Sequence, residues 1–437
     1  MSEHRLAIFL LASLLPLSAH ADERRKIALA DALAAADANL PALRGAEADV
    51  AVSVAQADEQ RSPLLPQLSG TAVYRRATSN FVSSPGAVPG SVDTTAISSS
   101  GRTKNYFNFA ATLSQTLFDA PSFSRWRAAL ASVGAQRALA AAIRLDAAYN
   151  VRLSFFGARA NQALMLVARE TLANQKRHLE QVRGFVEVGT RPEIDLAQSR
   201  TDVANAQVAL INAENNYATS KAQLNQAMGV AQDTEYDLGE GTAEPIDLED
   251  SRIDDQVDAA DRTRPELKAF DERLRAEALV LRANKWGYAP QLGLSTTATY
   301  AGQQLDNMAW NWNIQAGLSW NLFSGLLTYS QVKEAEAQLV SLRAQRDTER
   351  LQVRLELERG RLAVRAAKAT VAASGDALEN ARLREKLAEG RYQAGVGSSI
   401  ELSDAELALA NAGAQKVQAD FNVGSARAQL LRALGRR

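Results

Sequence analysis

Two stretches almost free of helix breakers decide what this chain can fold into. From Pro121 to about Val188, and again from about Leu326 to Ala394, a helical pattern runs nearly unbroken. At 1.5 Å per residue each stretch is about 100 Å long, which no compact domain accommodates. Such helices must lie along one another in a wall or a long bundle. Apolar residues fill 46% of the chain and aromatics only 6%. Much of the apolar share is Ala, which favours long, thin helical packing over a large aromatic core.

The layout occurs twice. Gly189-Thr190-Arg191-Pro192 ends the first long stretch, and a second helix runs from Glu193 to about Met228. Gly395–Ser399 ends the other long stretch, and a last helix runs to Leu434. Residues 189–229 align with 395–435 at a constant offset of 206, without gaps. Identical pairs include Gly189/Gly395, Ile194/Ile400, Leu196/Leu402, Asn205/Asn411, Asn216/Asn422, Leu224/Leu430 and Gly229/Gly435. Leu113-Ser114-x-x-Leu117-Phe118 likewise matches Leu318-Ser319-x-x-Leu322-Phe323 at offset 205. This is a tandem duplication of helix, β-hairpin, long helix, turn and helix. The expected boundaries are a first repeat over 22–229, with its hairpin at about 64–118, and a second over 254–437, with its hairpin at about 288–323. An acidic linker over 230–253 separates them.

The hairpins carry a second kind of pattern. In Trp310 to Leu322, the residues Trp310, Trp312, Ile314, Ala316, Leu318, Trp320 and Leu322 share one face of a strand. Asn311, Asn313, Gln315, Gly317, Ser319 and Asn321 share the other. The ten residue steps from Trp310 to Trp320 span about 33 Å at strand rise, or roughly 25 Å when tilted. That is the height of the apolar band of a transmembrane β-barrel, with aromatic residues at both borders. A half-buried strand of a soluble sheet and a carbohydrate platform are the other readings of the three Trp residues. Asn105 to Phe118 alternates in the same way, with Phe107, Phe109, Ala111 and Leu113 on one face.

Charge and residue usage exclude other classes. The net charge of -1 implies no general attraction to nucleic acid. There is no Cys, so disulfides, thiolate metal sites and Cys nucleophiles are excluded. Arg5, the apolar run Leu6–Leu17 and Ala19-His20-Ala21 resemble a signal peptide over 1–21, so His178 is the single His of the mature chain. No P-loop, metal-ligand cluster or nucleophile elbow is present. An enzyme is not expected, and no cofactor is implied.

The last helix carries two apolar stripes at steps of 3 and 4. One runs Leu407, Ala410, Ala414, Val417, Phe421; the other runs Leu402, Ala405, Leu409, Ala412, Lys416, Ala419. Two stripes mean a neighbour on each side, as in a wall of helices; a wide stripe facing a bundle core is the alternative. Only four membrane strands are available, and a barrel needs at least eight. Three copies supply twelve, so a homotrimer is the simplest closed assembly.

The ordered set of motifs resembles the TolC family of outer-membrane efflux channels, over about residues 27–435. It is carried by the duplicated layout, Arg264-Pro265-Glu266-Leu267, the strand starts Pro66-Gln67-Leu68 and Pro290-Gln291-Leu292, and the two Gly-turn-helix segments. The resemblance implies a mainly α fold. A long-helix α-barrel crosses the periplasm, and four strands per chain join a shared twelve-stranded barrel in the outer-membrane lipid. It also implies docking to a periplasmic adaptor and an inner-membrane pump. The adaptor-docking tips would be Gly189, Thr190, Arg191 and Pro192 with Gly395, Val396, Gly397 and Ser398. Glu401 and Asp404 match the acidic pore constriction, and Trp310, Trp312 and Trp320 the membrane girdle.

Plainer readings accompany these. Ser398-x-x-Glu401 is also a capping box, as is Thr190-x-x-Glu193, and acids in a first turn favour the helix dipole. Arg191 is either an adaptor contact or a solvated turn residue, and His178 reads as an ordinary helix-surface residue. The competing function is a secreted coiled-coil structural or adhesive protein.

Overall fold

The computed structural model describes residues 25–78, 103–231, 236–239 and 244–437. The expected signal peptide and residues 79–102 lie outside the described residues. The first half contains β1 (Arg25–Ile27), α1 (Leu29–Asn39), α2 (Pro41–Arg61), β2 (Gln67–Thr78), β3 (Thr103–Phe118), α3 (Ala120–Glu187) and α4 (Glu193–Met228). The second contains β4 (Tyr236–Leu238), α5 (Ile253–Thr263), α6 (Pro265–Lys285), β5 (Gln291–Gln304), β6 (Asn307–Ser319), α7 (Leu327–Gln393) and α8 (Ser399–Ala433). The class is the expected one, mainly helical with one four-stranded antiparallel sheet. No described helix is long and apolar enough to cross a membrane.

Proline sets two of the helix breaks. Leu40 and Arg264 are both extended, with ψ of 119°, the conformation that the ring of a following proline imposes. Pro41 and Pro265 then open α2 and α6, where a missing N–H costs nothing.

The chain divides into two compact units. The first comprises Met1–Leu40, Asn150–Glu244 and Ala367–Ser425. Its largest apolar cluster joins Ala32 and Ala36 of α1, Val151, Phe155 and Ala158 of α3, Leu224 and Met228 of α4, and Tyr236 and Leu238. The last two lie on β4, which pairs in parallel with β1 inside the stretch expected to be a linker. Three-residue strands are too short to show alternation. Their anchor is Tyr236, buried with its hydroxyl donating to Asn225 Oδ1 at 2.8 Å.

The second unit comprises Pro41–Tyr149, Pro245–Ala366 and Ala426–Arg437, and it holds the large sheet. Strand order is β2-β3-β5-β6, every pair antiparallel. The register stacks side chains into rows across all four strands. One face carries Ala72–Phe109–Tyr300–Trp310, Gly70–Ala111–Ala298–Trp312 and Leu68–Leu113–Thr296–Ile314. The opposite face carries Ser69–Thr112–Thr297–Asn313 and Gln67–Ser114–Ser295–Gln315. Among the described residues β2 and β6 are paired on one side only.

Candidate functional site

The sheet inverts the usual arrangement of a soluble protein. Leu68, Phe109, Leu113, Tyr300, Trp310, Trp312, Ile314 and Leu318 are all exposed on one face, and the other is lined mainly by Ser, Thr, Asn and Gln, with small residues and Val73 between them. An exposed apolar band of this size marks a surface that meets lipid or another chain. The indoles are satisfied within the chain. Trp312 Nε1 donates to Thr296 Oγ1 at 2.7 Å, and Trp320 Nε1 to the Tyr288 carbonyl at 3.0 Å. A polar group without water needs such a partner. Trp320 falls one residue beyond β6, and Leu322 also lies outside the strand.

The tip turns are built alike at first. Gly189 and Gly395 have φ of 75° and 76°, a left-handed conformation that a side chain disfavours. Thr190 N–H then reaches the Phe185 carbonyl at 2.9 Å, and Val396 N–H the Arg391 carbonyl at 3.0 Å, closing α3 and α7 with the same Schellman geometry.

After that the turns diverge. The Thr190 hydroxyl donates to the Phe185 carbonyl at 2.8 Å, so it finishes α3 and does not cap α4. Pro192 occupies the N-cap of α4 without a side-chain bond, and the expected box with Glu193 does not form. At the other turn Ser398 Oγ accepts from Glu401 N–H at 3.1 Å, which is half of a capping box. The Glu401 carboxylate turns to Arg391 Nε at 3.2 Å instead of returning to residue 398. Asp404, exposed, follows one turn later on the same helix face.

Arg191 joins the two turns. Its Nη2 donates to the Gly397 carbonyl at 3.0 Å, and its guanidinium lies 4.9 Å over the ring of Tyr392. Tyr392 is buried and packs edge-on against His178 and Phe185. Its backbone N lies 2.9 Å from where a Cβ on Gly397 would stand, so that position admits only glycine without movement. Around this core Val188, Ile194, Val396 and Ile400 form an exposed aliphatic rim.

His178 is not a surface residue. It is 3% exposed, and neither ring nitrogen has a hydrogen-bond partner among the described residues. A lone His within a polar stretch of a long helix gives no sign of which flank it lies on. The sequence pattern also gave no sign of Glu406. It sits five residues beyond Glu401 and reads as one more helix acid.

Residues 32–230 and 257–436 match the family described as outer membrane efflux protein. The chain belongs to this family. That membership supports the efflux reading over the secreted coiled coil, and it places the chain in the outer membrane. It is 26% identical over 325 residues to the probable efflux pump outer membrane protein SepC of Pseudomonas putida, covering 70% of this chain and 63% of that one. The chain thus spans less than two thirds of that relative's length. It is also 26% identical over 406 residues to protein CyaE of Bordetella pertussis, covering 90% of this chain and 80% of CyaE. Among solved structures, the chain superposes on the Campylobacter jejuni CmeC outer membrane channel with a TM-score of 0.78. The identity is 17%, and the match covers 93% of this chain and 85% of CmeC.

Proposed function

We propose that this protein is a passive outer-membrane exit channel, a homotrimer that receives solutes from an inner-membrane pump through a periplasmic adaptor. The observation that carries the reading is the open sheet. Two free edges of 12 and 13 residues, an apolar lipid-compatible face and a polar face suit one third of a barrel better than a finished domain. Joining β6 of one copy to β2 of the next, three times over, satisfies every edge and turns the Ser/Thr/Asn/Gln rows toward a water-filled lumen. The girdle is then Trp310, Trp312 and Trp320.

The helices support the same assembly. On α8 the stripe Leu402, Ala405, Ala412, Ala419, Ala426 is buried within the chain, whereas Leu407 on the other stripe is exposed. On α7, Leu351, Leu355, Leu362, Leu383 and Leu387 form a further exposed row. Neighbouring copies would cover these rows. In the trimer Glu401 and Asp404 repeat as rings that favour cations at a constriction. The aliphatic rim of the tips, with residues 189–192 and 395–398, receives the adaptor. The chain performs no chemistry of its own.

The test is the oligomeric mass of the detergent-extracted outer-membrane fraction beside a urea-washed soluble fraction, followed by single-channel conductance. A detergent-dependent trimer is expected. Glu401→Gln and Asp404→Asn should lower cation over anion permeability without changing the trimer. A water-soluble monomer or filament would overturn the channel, and unchanged selectivity would remove the two acids from the constriction.

A further inference from the structure

Close behind the tip turns, two ionisable side chains are packed without an ion pair among the described residues. Glu406 of α8 lies seven residues past Ser399, about two helical turns. It accepts a hydrogen bond from Gln175 Nε2 of α3 at 2.6 Å, a neutral donor. The other amide atom, Gln175 Oε1, is buried without a partner. Acids surround the pair: Glu385 and Glu389 on α7 and Asp202 on α4 act on Glu406. The cavity of about 230 Å³ beside it is bordered by Glu170 and by two cations. Of these, Arg382 is exposed and Lys416 pairs with Asp420 along its own helix.

His178 stands three residues beyond Gln175 on the same face of α3. Its ring packs edge-on against Tyr392 at 5.1 Å, with both nitrogens unpartnered among the described residues. Asp195 and Asp202 of α4 and Glu389 of α7 face it, and Arg191 covers Tyr392. Burying a charged group without a partner costs far more than burying its neutral form.

We propose that Glu406 and His178 form a proton-linked latch: uncharged, they hold α3, α4, α7 and α8 together behind the tip, and ionising either loosens that packing. The two titrate with opposite sign. Burial, reinforced by Glu385, raises Glu406 from 4.5 to about 7. Its contribution to packing is full below 4.5 and is lost as pH rises toward 7. Burial lowers His178 below 6.5, outweighing the acids that raise it. Its contribution is full above 6.5 and is lost as pH falls below that value. The wild-type latch is therefore compensated, each group offsetting part of the other's response.

Hydrogen exchange of the full-length protein in detergent, from about pH 5 to 8 and corrected for the intrinsic rate, reads this directly. The reporting segments are 172–182 and 402–410, with 224–230 as internal reference. Glu406→Gln keeps an uncharged hydrogen-bonding group and leaves His178 alone. Protection should then rise with pH up to about 6.5, by as much as about tenfold per unit. His178→Phe leaves Glu406 alone, and protection should fall between about pH 4.5 and 7 by a similar factor. The double variant should be flat. If His178→Phe does not fold, His178→Gln serves the same purpose. Equal slopes in the wild type and both single variants, or slopes of the reverse sign, would overturn the latch. The readout is local packing, so its failure leaves the channel reading standing, and the reverse holds as well.

Discussion

The two halves of the duplicated chain fasten the same backbone joint with different chemistry. In the first half, the left-handed Gly229 at the end of α4 lies against the break at Asn39–Leu40, where an added Cβ would stand 2.8 Å from Leu40 Cα. In the second, Gly435 lies against Thr263–Arg264, with the corresponding distance 2.9 Å. Around Gly229 the surroundings are apolar: Ala32, Ala36, Phe155, Leu224, Met228 and Tyr236 are all buried. Around Gly435 they are ionic. Arg264, 1% exposed, donates to the Arg432 carbonyl at 3.0 Å and to Glu356 at 2.8 Å, and lies 3.4 Å from Glu266. Arg432 in turn meets Glu356 at 3.6 Å and pairs with Asp146. Geometry is what the duplication keeps at this joint. The source of cohesion is free to change, and an ionic joint fails differently from an apolar one.

The largest expected effect breaks the ionic joint. Arg264→Met leaves Glu266 without its cation and Glu356 with Arg432 alone, in a mostly buried site, which costs about 3–5 kcal/mol. Hydrogen-exchange protection over 426–434 should fall by roughly two to three orders of magnitude, at 1.4 kcal/mol per tenfold. Leu40→Met at the apolar joint should cost less than about 1 kcal/mol over 224–230. Adding Glu356→Leu to Arg264→Met should restore most of the loss, since an apolar pair of similar volume replaces a buried ion pair at little net cost. A double variant no better than the single would show that Arg264 acts through packing of its stem and not through charge.

The next effect is one the halves should share. Gly229→Ala and Gly435→Ala each force a Cβ into backbone contact and hold a non-glycine residue at positive φ. Strain and overpacking together cost about 2–4 kcal/mol. Equal losses of exchange protection at the two joints would confirm one backbone device under two chemistries. A loss confined to one half would mean the other joint can open without consequence.

Long elements with strong periods were legible from the residues alone, and so was the duplication, because an offset of 206 repeats over forty-one aligned positions, 189–229 against 395–435. The sheet faces were legible for the same reason, each strand being long enough to show a period of two. What escaped reading depends on contacts between residues far apart in the chain. Arg191 finds its acceptor at Gly397, and Gln175 finds Glu406. His178 is buried by a tyrosine more than two hundred residues away, Tyr392. On helices this long, with neighbours on more than one side, local pattern does not say which flank is covered. The Ser398–Glu401 cap was readable because it is local, and only half of it formed because Arg391 offered the carboxylate a charged partner.

The smallest effect concerns the surface, and it sharpens the contrast between halves. Arg346, Arg350 and Arg354 stand at successive turns of α7 and pair with Asp271, Asp261 and Asp254 at 2.6, 2.6 and 3.3 Å. In the first half Arg144, 206 residues before Arg350, pairs with Glu47 at 3.1 Å. Each such exposed pair is worth about 0–1 kcal/mol, and salt screens it. Raising the salt from about 0.05 to 1 M should therefore lower exchange protection in 253–285 by up to about tenfold, and in 41–61 by less. Replacing Arg346, Arg350 and Arg354 together by Gln should lower protection in 253–285 at low salt by a comparable factor and abolish its salt response. The buried Arg264 contacts should hold through the same salt range, because ions do not reach them. A salt response of equal size in 41–61 would place the sensitivity outside this ladder. Persistence of the response in the triple variant would assign it to the Arg264 network instead.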